Sequence, residues 1–285
     1  MITICYLNNK GGVGKTATVS TIGHMMNQVY GKKVLMIDLD PQGNLSTGYS
    51  EIDWVEIFLS VLNGTEVTTE KSIEDVLMHP EMDIHEAIKH TQYDGLDVIP
   101  SHLTLSTVEE SLKADITMPQ QFKLKGQLEK VKDEYDYCLI DCSPSVGLLL
   151  TNALAAANEI IIPMQAQPFS VVGMSQLTSS IANVQRKINP GLRVKGILLT
   201  MTEHTNVSDH YCGQVRSTYG NKIHVFTTEI PRNVKVQESQ ANAEPTILYD
   251  PKSNSAKAYI EFAKEVSGYG REEQVFERDE DALNR

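Results

Sequence analysis

Short apolar runs recur along this chain, each followed by a stretch of helix length, and that alternation narrows the possible folds more than any other feature. Residues 2–8, 33–38, 96–100, 137–141, 159–164, 194–201 and 223–228 predict strands, and 14–29, 120–134, 147–157, 172–188, 207–219 and 255–267 predict helices. Several of the strands are almost continuously apolar rather than alternating, so both of their faces must be covered. The expected fold class is α/β: one domain over residues 1–270, with a mostly parallel, twisted sheet flanked by helices on both faces. The acidic, Thr-rich stretch at 51–90 is expected as a surface insertion and the charged residues 271–285 as a flexible tail.

Composition excludes several classes. A chain of 285 residues with 41% hydrophobic content can bury a substantial core, so it is not a disordered protein. No apolar run approaches the ~18 residues of a membrane helix. The opening residues lack a basic segment and a cleavage site, so a cytoplasmic location is expected. Cys5, Cys138, Cys142 and Cys212 are too sparse for a disulfide scaffold. Cys138 and Cys142, four apart, are expected to face differently and to be structural. The net charge of −12 is unevenly spread: residues 51–136 hold 19 acidic against 7 basic side chains, while 170–264 hold 11 basic against 7 acidic. The second half of the chain is therefore the place to look for an anionic partner.

The strongest chemical signal is the turn after the first strand, Asn8-Asn9-Lys10-Gly11-Gly12-Val13-Gly14-Lys15-Thr16-Ala17. Glycines there let successive backbone amides point into one concavity, and the following helix adds its positive dipole end. Lys15 is placed to reach β- and γ-phosphates and the Thr16 hydroxyl to ligate Mg2+. Asn9 stands where the general phosphate-loop pattern G-x-x-x-x-G-K-[ST] has its first glycine. A second block, Asp38-Leu39-Asp40-Pro41-Gln42-Gly43-Asn44, sets two carboxylates at the C-terminal end of a strand, where open α/β sheets bind ligands. Two residues apart, they are expected to point the same way. A third, Tyr137 to Ser145, is an apolar strand ending in Asp141. A fourth, Glu229-Ile230-Pro231-Arg232-Asn233, is expected just after the last strand.

These blocks resemble the deviant Walker A ATPases typified by ParA partition proteins and MinD, whose signature K-G-G-V-G-K-T stands here as Lys10 to Thr16. The resemblance spans nearly the whole chain and implies the P-loop NTPase fold, with ATP and Mg2+ as cofactors. By it, Lys10, Lys15 and Asp40 are catalytic: Asp40 orients or activates the attacking water, and Lys10 crosses into the partner's site when two monomers sandwich two ATPs. Residues 10–17 hold the phosphates, and Pro231 and Asn233 lie against the adenine. Thr16, Asp38, Asp40 and Asp141 serve the metal, the carboxylates through water. Hydrolysis is then the slow release of an ATP-bound homodimer.

Within that family the D-P-Q-G-N block is typical of the ParA branch. The acidic C-terminus is unlike the basic amphipathic membrane helix of MinD-like members, so no membrane partner is expected. The resemblance implies an ATPase for plasmid or chromosome partition that binds nonspecific double-stranded DNA as the ATP dimer, joins the nucleoid in that state, and is stimulated by a ParB-type adaptor. The candidate DNA contacts are Lys235 and Lys252, with Arg216 and Lys222 compensating for an arginine that relatives carry near Thr205. The alternative is a switch of the same fold that positions a protein cargo without DNA. A ligase of the dethiobiotin synthetase kind is disfavoured by Lys10 and the D-P-Q-G-N block together.

Overall fold

All six residues of the strand Val34–Leu39 (β2) are buried, because each of its faces meets a different apolar layer. Leu35, Ile37 and Leu39 belong to one core cluster and Val34 and Met36 to the other. The strand Ile2–Tyr6 (β1) divides in the same way, with Cys5 on the first side and Ile4 and Tyr6 on the second. The near-continuous apolar runs are thus the mark of a sheet covered on both faces.

This structure, a computed structural model, describes residues 1–49, 62–63, 70–102, 104–114, 119–168 and 170–268. After β1 and the helix Lys15–His24 (α1), the chain runs through β2, Asn44–Tyr49 (α2), Ile73–Met78 (α3), Lys89–His90 (β3), Leu96–Ile99 (β4), Leu105–Ala114 (α4) and Lys123–Leu128 (α5). It continues through Tyr137–Cys142 (β5), Leu148–Ala156 (α6), Glu159–Gln165 (β6), Ser170–Lys187 (α7), Arg193–Thr202 (β7), Asn206–Tyr219 (α8) and Val225–Pro231 (β8). Val234–Ala241 (α9), Thr246–Tyr249 (α10) and Asn254–Ser267 (α11) complete it. The eight strands form one sheet in the order β3-β4-β2-β5-β1-β6-β7-β8. Every pairing is parallel except β3 with β4. An α/β fold with a mostly parallel sheet and helices on both faces is therefore what the chain adopts. The connection out of β1 crosses to β2 on one side and the connection out of β5 returns to β6 on the other, so the carboxyl end of β1 is a topological switch point, where such sheets bind ligands.

Several expectations need correction. The helix expected over 14–29 is α-helical only to His24 and continues as a π-helical turn, Met25–Val29. The last strand is shifted: the Ile223 amide closes a turn on the Tyr219 carbonyl, and β8 instead runs on through Glu229, Ile230 and Pro231. The stretch 51–90 is no simple surface insertion. Its first part lies mostly outside the described residues, but Ile73, Val76, Leu77, Ile84 and Ala87 are fully buried and pack in the first core cluster. Residues 271–285 also lie outside the described residues. Cys138 and Cys142 do not face differently: both sit on β5, where positions four apart share a face, and both are in the first core cluster. All four cysteines are buried and free, and burial lifts the thiol pKa of Cys5, Cys138 and Cys212, so they pack as small hydrophobes.

The sheet is finished off at β8. The Glu265 carboxylate on α11 accepts the backbone N–H groups of Thr227 at 2.8 Å and Thr228 at 3.1 Å. Tyr259, Phe262, Ala263 and Val266 of the same helix fill the second core cluster.

Candidate functional site

At the switch point the chain turns from β1 into α1 through two glycines in the left-handed region, Gly12 at φ 68° and Gly14 at φ 83°, a conformation that a Cβ resists. Gly14 is the N-cap of α1 and no side chain caps the helix, which leaves its first-turn amides and positive dipole end to a ligand. The loop is braced from outside. The Thr200 hydroxyl donates to the Val13 carbonyl at 2.9 Å and the Thr18 hydroxyl to the Gly14 carbonyl at 2.7 Å. The fully buried Tyr259 hydroxyl lies 3.3 Å from that of Thr18. Asn8 spans the turn, accepting the Lys10 amide at 2.9 Å and donating to the Pro163 carbonyl at 2.7 Å. A pre-shaped row of donors costs no reorganisation when an anion arrives.

Gly11, Gly12, Gly14, Lys15 and Thr16 line a cleft of about 1470 Å³ that also takes in Asp40, Ser143 to Ser145, Gln165, Gln167, Thr200, Met201 and residues 230–234. Asp141 closes its base: Oδ2 accepts the Thr16 hydroxyl at 2.6 Å, while Oδ1 is buried with no hydrogen-bond partner among the described residues. Asp38 is paired in register with Asp141 on the neighbouring strand. Burial raises the Asp38 pKa to about 6, against the pull of the Ser46 and Asp40 donors. Asp141 is pushed well above the carboxylate range, first by burial and then by the Asp38 charge. A cation at the orphaned Oδ1 would relieve this buried charge. No group of three His, Cys, Asp or Glu side chains among the described residues forms a ready-made metal cage. The residues present suit Mg2+, which is commonly held by one or two carboxylates with phosphate oxygens and water completing its shell.

The other sequence candidates are distributed unevenly. Asp38, unlike Asp40, does not line the cleft. It is fully buried, and its oxygens are engaged by the Asp40 amide at 3.1 Å and by the Ser46 amide and hydroxyl at 2.8 and 2.7 Å. These contacts tie Asp38 to the loop that carries Asp40 while its strand position keeps it beside Asp141. Asp40 lies just beyond β2 and faces the cleft. Val13 and Ala17 are buried; Val13 contributes its carbonyl to the bracing, not a side chain to the cleft. The Lys10 ammonium donates to Gln167 of its own chain. Pro231 is the final residue of β8 rather than a residue after it, and Asn233 spends its carboxamide oxygen capping α9 at the Lys235 amide, 3.0 Å away.

Residues 1–194 match the AAA domain family. The chain is 38% identical to the sporulation initiation inhibitor protein Soj of Bacillus subtilis over 268 residues, 94% of this chain and 98% of that one. The chain belongs to the ParA/Soj-type ATPases. The chromosome partitioning protein ParA of Caulobacter vibrioides is 37% identical over 271 residues, 94% of each chain. Among solved structures, cobyrinic acid a,c-diamide synthase from Mycobacterium smegmatis with bound ATP analogue and magnesium superposes with a TM-score of 0.73 at 29% identity, covering 93% of both chains.

For a ParA/Soj-type ATPase the four candidate DNA cations differ in availability. The Lys235 ammonium pairs with Glu238 at 2.7 Å. Arg216 is occupied: its guanidinium meets Glu229 at 2.9 Å and the Phe226 carbonyl at 3.0 Å, bracing β8. Lys222 and Lys252 have no side-chain partner among the described residues. Residues missed from sequence are those that topology delivers. Thr200 and Met201 come from the end of β7, Gln237 and Gln240 from α9, and Tyr259 from α11, all on the cleft. Met201 holds φ 53°, an uncommon conformation for a non-glycine residue.

Proposed function

We propose that the cleft binds ATP with Mg2+ and hydrolyses it slowly, and that this ATPase acts in plasmid or chromosome partition as an ATP-bound homodimer that holds nonspecific DNA and is stimulated by a ParB-type adaptor. The observation that carries the reading is that one continuous cleft joins the phosphate loop, Asp40 and the apolar and amide wall of Pro231 and Asn233. Lys15 opposes the charge developing on the transferred phosphate, and the backbone amides of residues 11–16 cradle the rest. Thr16 and Asp141 would hold Mg2+, which would supply charge neutralisation for the phosphates. Asp40, the carboxylate open to the cleft, orients the water and takes up its proton. Lys10 leaves Gln167 and supplies a second cation to the partner subunit's cleft. Thr16 and Ala17 begin the helix behind the phosphates, and Gly11 to Gly14 form the loop in front of them.

DNA contact rests on Lys222 and Lys252 first, and on Lys235 and Arg216 only if they exchange their carboxylates for phosphates. The test is a mobility shift of the Asp40→Ala protein on a long duplex with ATP and with ADP. A shift with ATP alone, indifferent to sequence, is expected. Two free cations per subunit neutralise four phosphates per dimer, a loss of roughly 10²-fold in affinity between about 50 and 200 mM salt; eight phosphates would make the loss nearer ~10⁴-fold. The existing pairs of Lys235 and Arg216 favour a second reading, a switch that positions a protein cargo without DNA, and no shift at low salt would establish that reading over the first.

A further inference from the structure

Two loops flank the phosphate end of the cleft: the one after β2, carrying Asp40, and the one after β5, running from Ser143 to Gly147. Both are tied to the same third segment. The Ser101 hydroxyl donates to the Asp40 carbonyl at 2.9 Å, and the Ser101 amide donates at 2.8 Å to the Ser46 hydroxyl that in turn bonds Asp38. From Ser101 the chain enters α4, whose first residue donates its amide to the His102 carbonyl. One turn into α4, Glu109 accepts the Leu148 amide on Oε1 at 2.6 Å, at the start of α6. Gly147, the N-cap of α6, offers no side chain to do this. The carboxylate is packed so closely that a Cβ on Gly147 would lie 1.9 Å from Glu109 Oε1. The Gly147 backbone is extended, at φ −162°, which any residue can adopt; what the site requires of this position is space.

We infer that Glu109 is a positioning residue for hydrolysis: by fixing the first amide of α6 it holds the loop after Asp141 in register with the loop that carries Asp40, without itself gripping the nucleotide. A charged acceptor on a helix N-terminal amide is among the stronger hydrogen bonds. Its loss lets one wall of the phosphate end drift while the phosphate loop, braced separately by Thr200 and Thr18, stays in place. Binding and turnover should therefore separate.

The inference rests on the reading of the cleft as an ATP-hydrolysing site, so the wild-type protein is the first arm of the test. No magnesium-dependent ATP turnover by it overturns that reading and this inference with it. With wild-type turnover established, Glu109→Ala should leave the KM for ATP and the dissociation constant of a fluorescent ATP analogue within about threefold while lowering kcat by ~10-fold or more, the scale of a misplaced catalytic wall. Glu109→Gln, which keeps an acceptor oxygen, should recover most of that loss. Gly147→Ala approaches the same contact from the other side, because its methyl displaces the carboxylate while α4 keeps its sequence; it should lower kcat alike. Combined with Glu109→Ala it should add little, since the contact is already gone. Wild-type kcat in both single variants, or an equal fall of kcat and rise of KM in Glu109→Ala with no rescue by glutamine, overturns the inference while leaving the ATPase reading intact. Melting temperatures of the same proteins distinguish a lost fold from a lost contact.

Discussion

Lys15 and Asp40 both line the cleft, and the proposed mechanism gives them different parts of a bound nucleotide. Lys15 stands on the braced phosphate loop, and Lys15→Ala should abolish binding of a fluorescent ATP analogue. Asp40 sits beyond its strand with its Oδ1 accepting only the Gln42 amide, at 3.1 Å, among the described contacts. Asp40→Ala should keep analogue binding and lower phosphate release by on the order of 10²-fold. Normal turnover in that variant would remove Asp40 from the mechanism. At this scale the sequence was readable where chemistry and spacing coincide: a glycine-rich turn with Lys15 and Thr16 can do little else between a strand and a helix. It misled at Asp38, because a carboxylate two residues from Asp40 reads as its twin until Ser46 is seen to take up its Oδ2 and the Asp40 amide its Oδ1. It was silent on Thr200 and Tyr259, whose contribution exists only once distant strands and helices are brought behind the loop.

Elements buried on both faces announce themselves, and those held by polar contacts do not. Strands such as β2, β5 and β6 carry near-continuous apolar runs and are legible for that reason; β8 is mixed and its bounds are shifted from those expected, and β3 is two residues, Lys89 and His90, with no pattern to read. The helices α3 and α9 are short and mixed in polarity, and caps at Ser72 and Asn233 together with tertiary packing secure them. Between α3 and β3 lies a contact of this polar kind. The His85 imidazole sits 2.6 Å from Asp83 and 3.0 Å from Glu134, and its pKa is raised above 6.5 by Asp83 first and then by Glu134. A raised folded pKa means that this stabilisation is complete below the unfolded value and fades as pH rises through the folded one. The His85→Gln protein should therefore melt below wild type at about pH 5.5, with the gap closing as pH rises through the raised folded value. A gap that does not shrink with rising pH would mean that packing, not charge, is what His85 contributes.

For the whole molecule, the question is what a second copy sees. No helix among the described residues is long and apolar enough to cross a membrane. In sedimentation, the Asp40→Ala protein should run as a dimer with ATP and a monomer with ADP. If Lys10 serves the partner subunit's cleft as proposed, the Lys10→Ala protein should still bind nucleotide but hydrolyse it poorly. Identical profiles in ATP and ADP would count against an ATP-dependent pair. The other route by which α/β proteins join, growth of the sheet, is blocked at both ends: β3 is too brief to template a strand, and at β8 the Glu265 carboxylate already occupies the Thr227 and Thr228 amides. A free strand edge invites indefinite polymers. With two β8 amides taken up by Glu265 and only two residues in β3, neither edge of the sheet offers a second copy a long free strand, so the proposed ATP-dependent pair would meet through the cleft side and could come apart again.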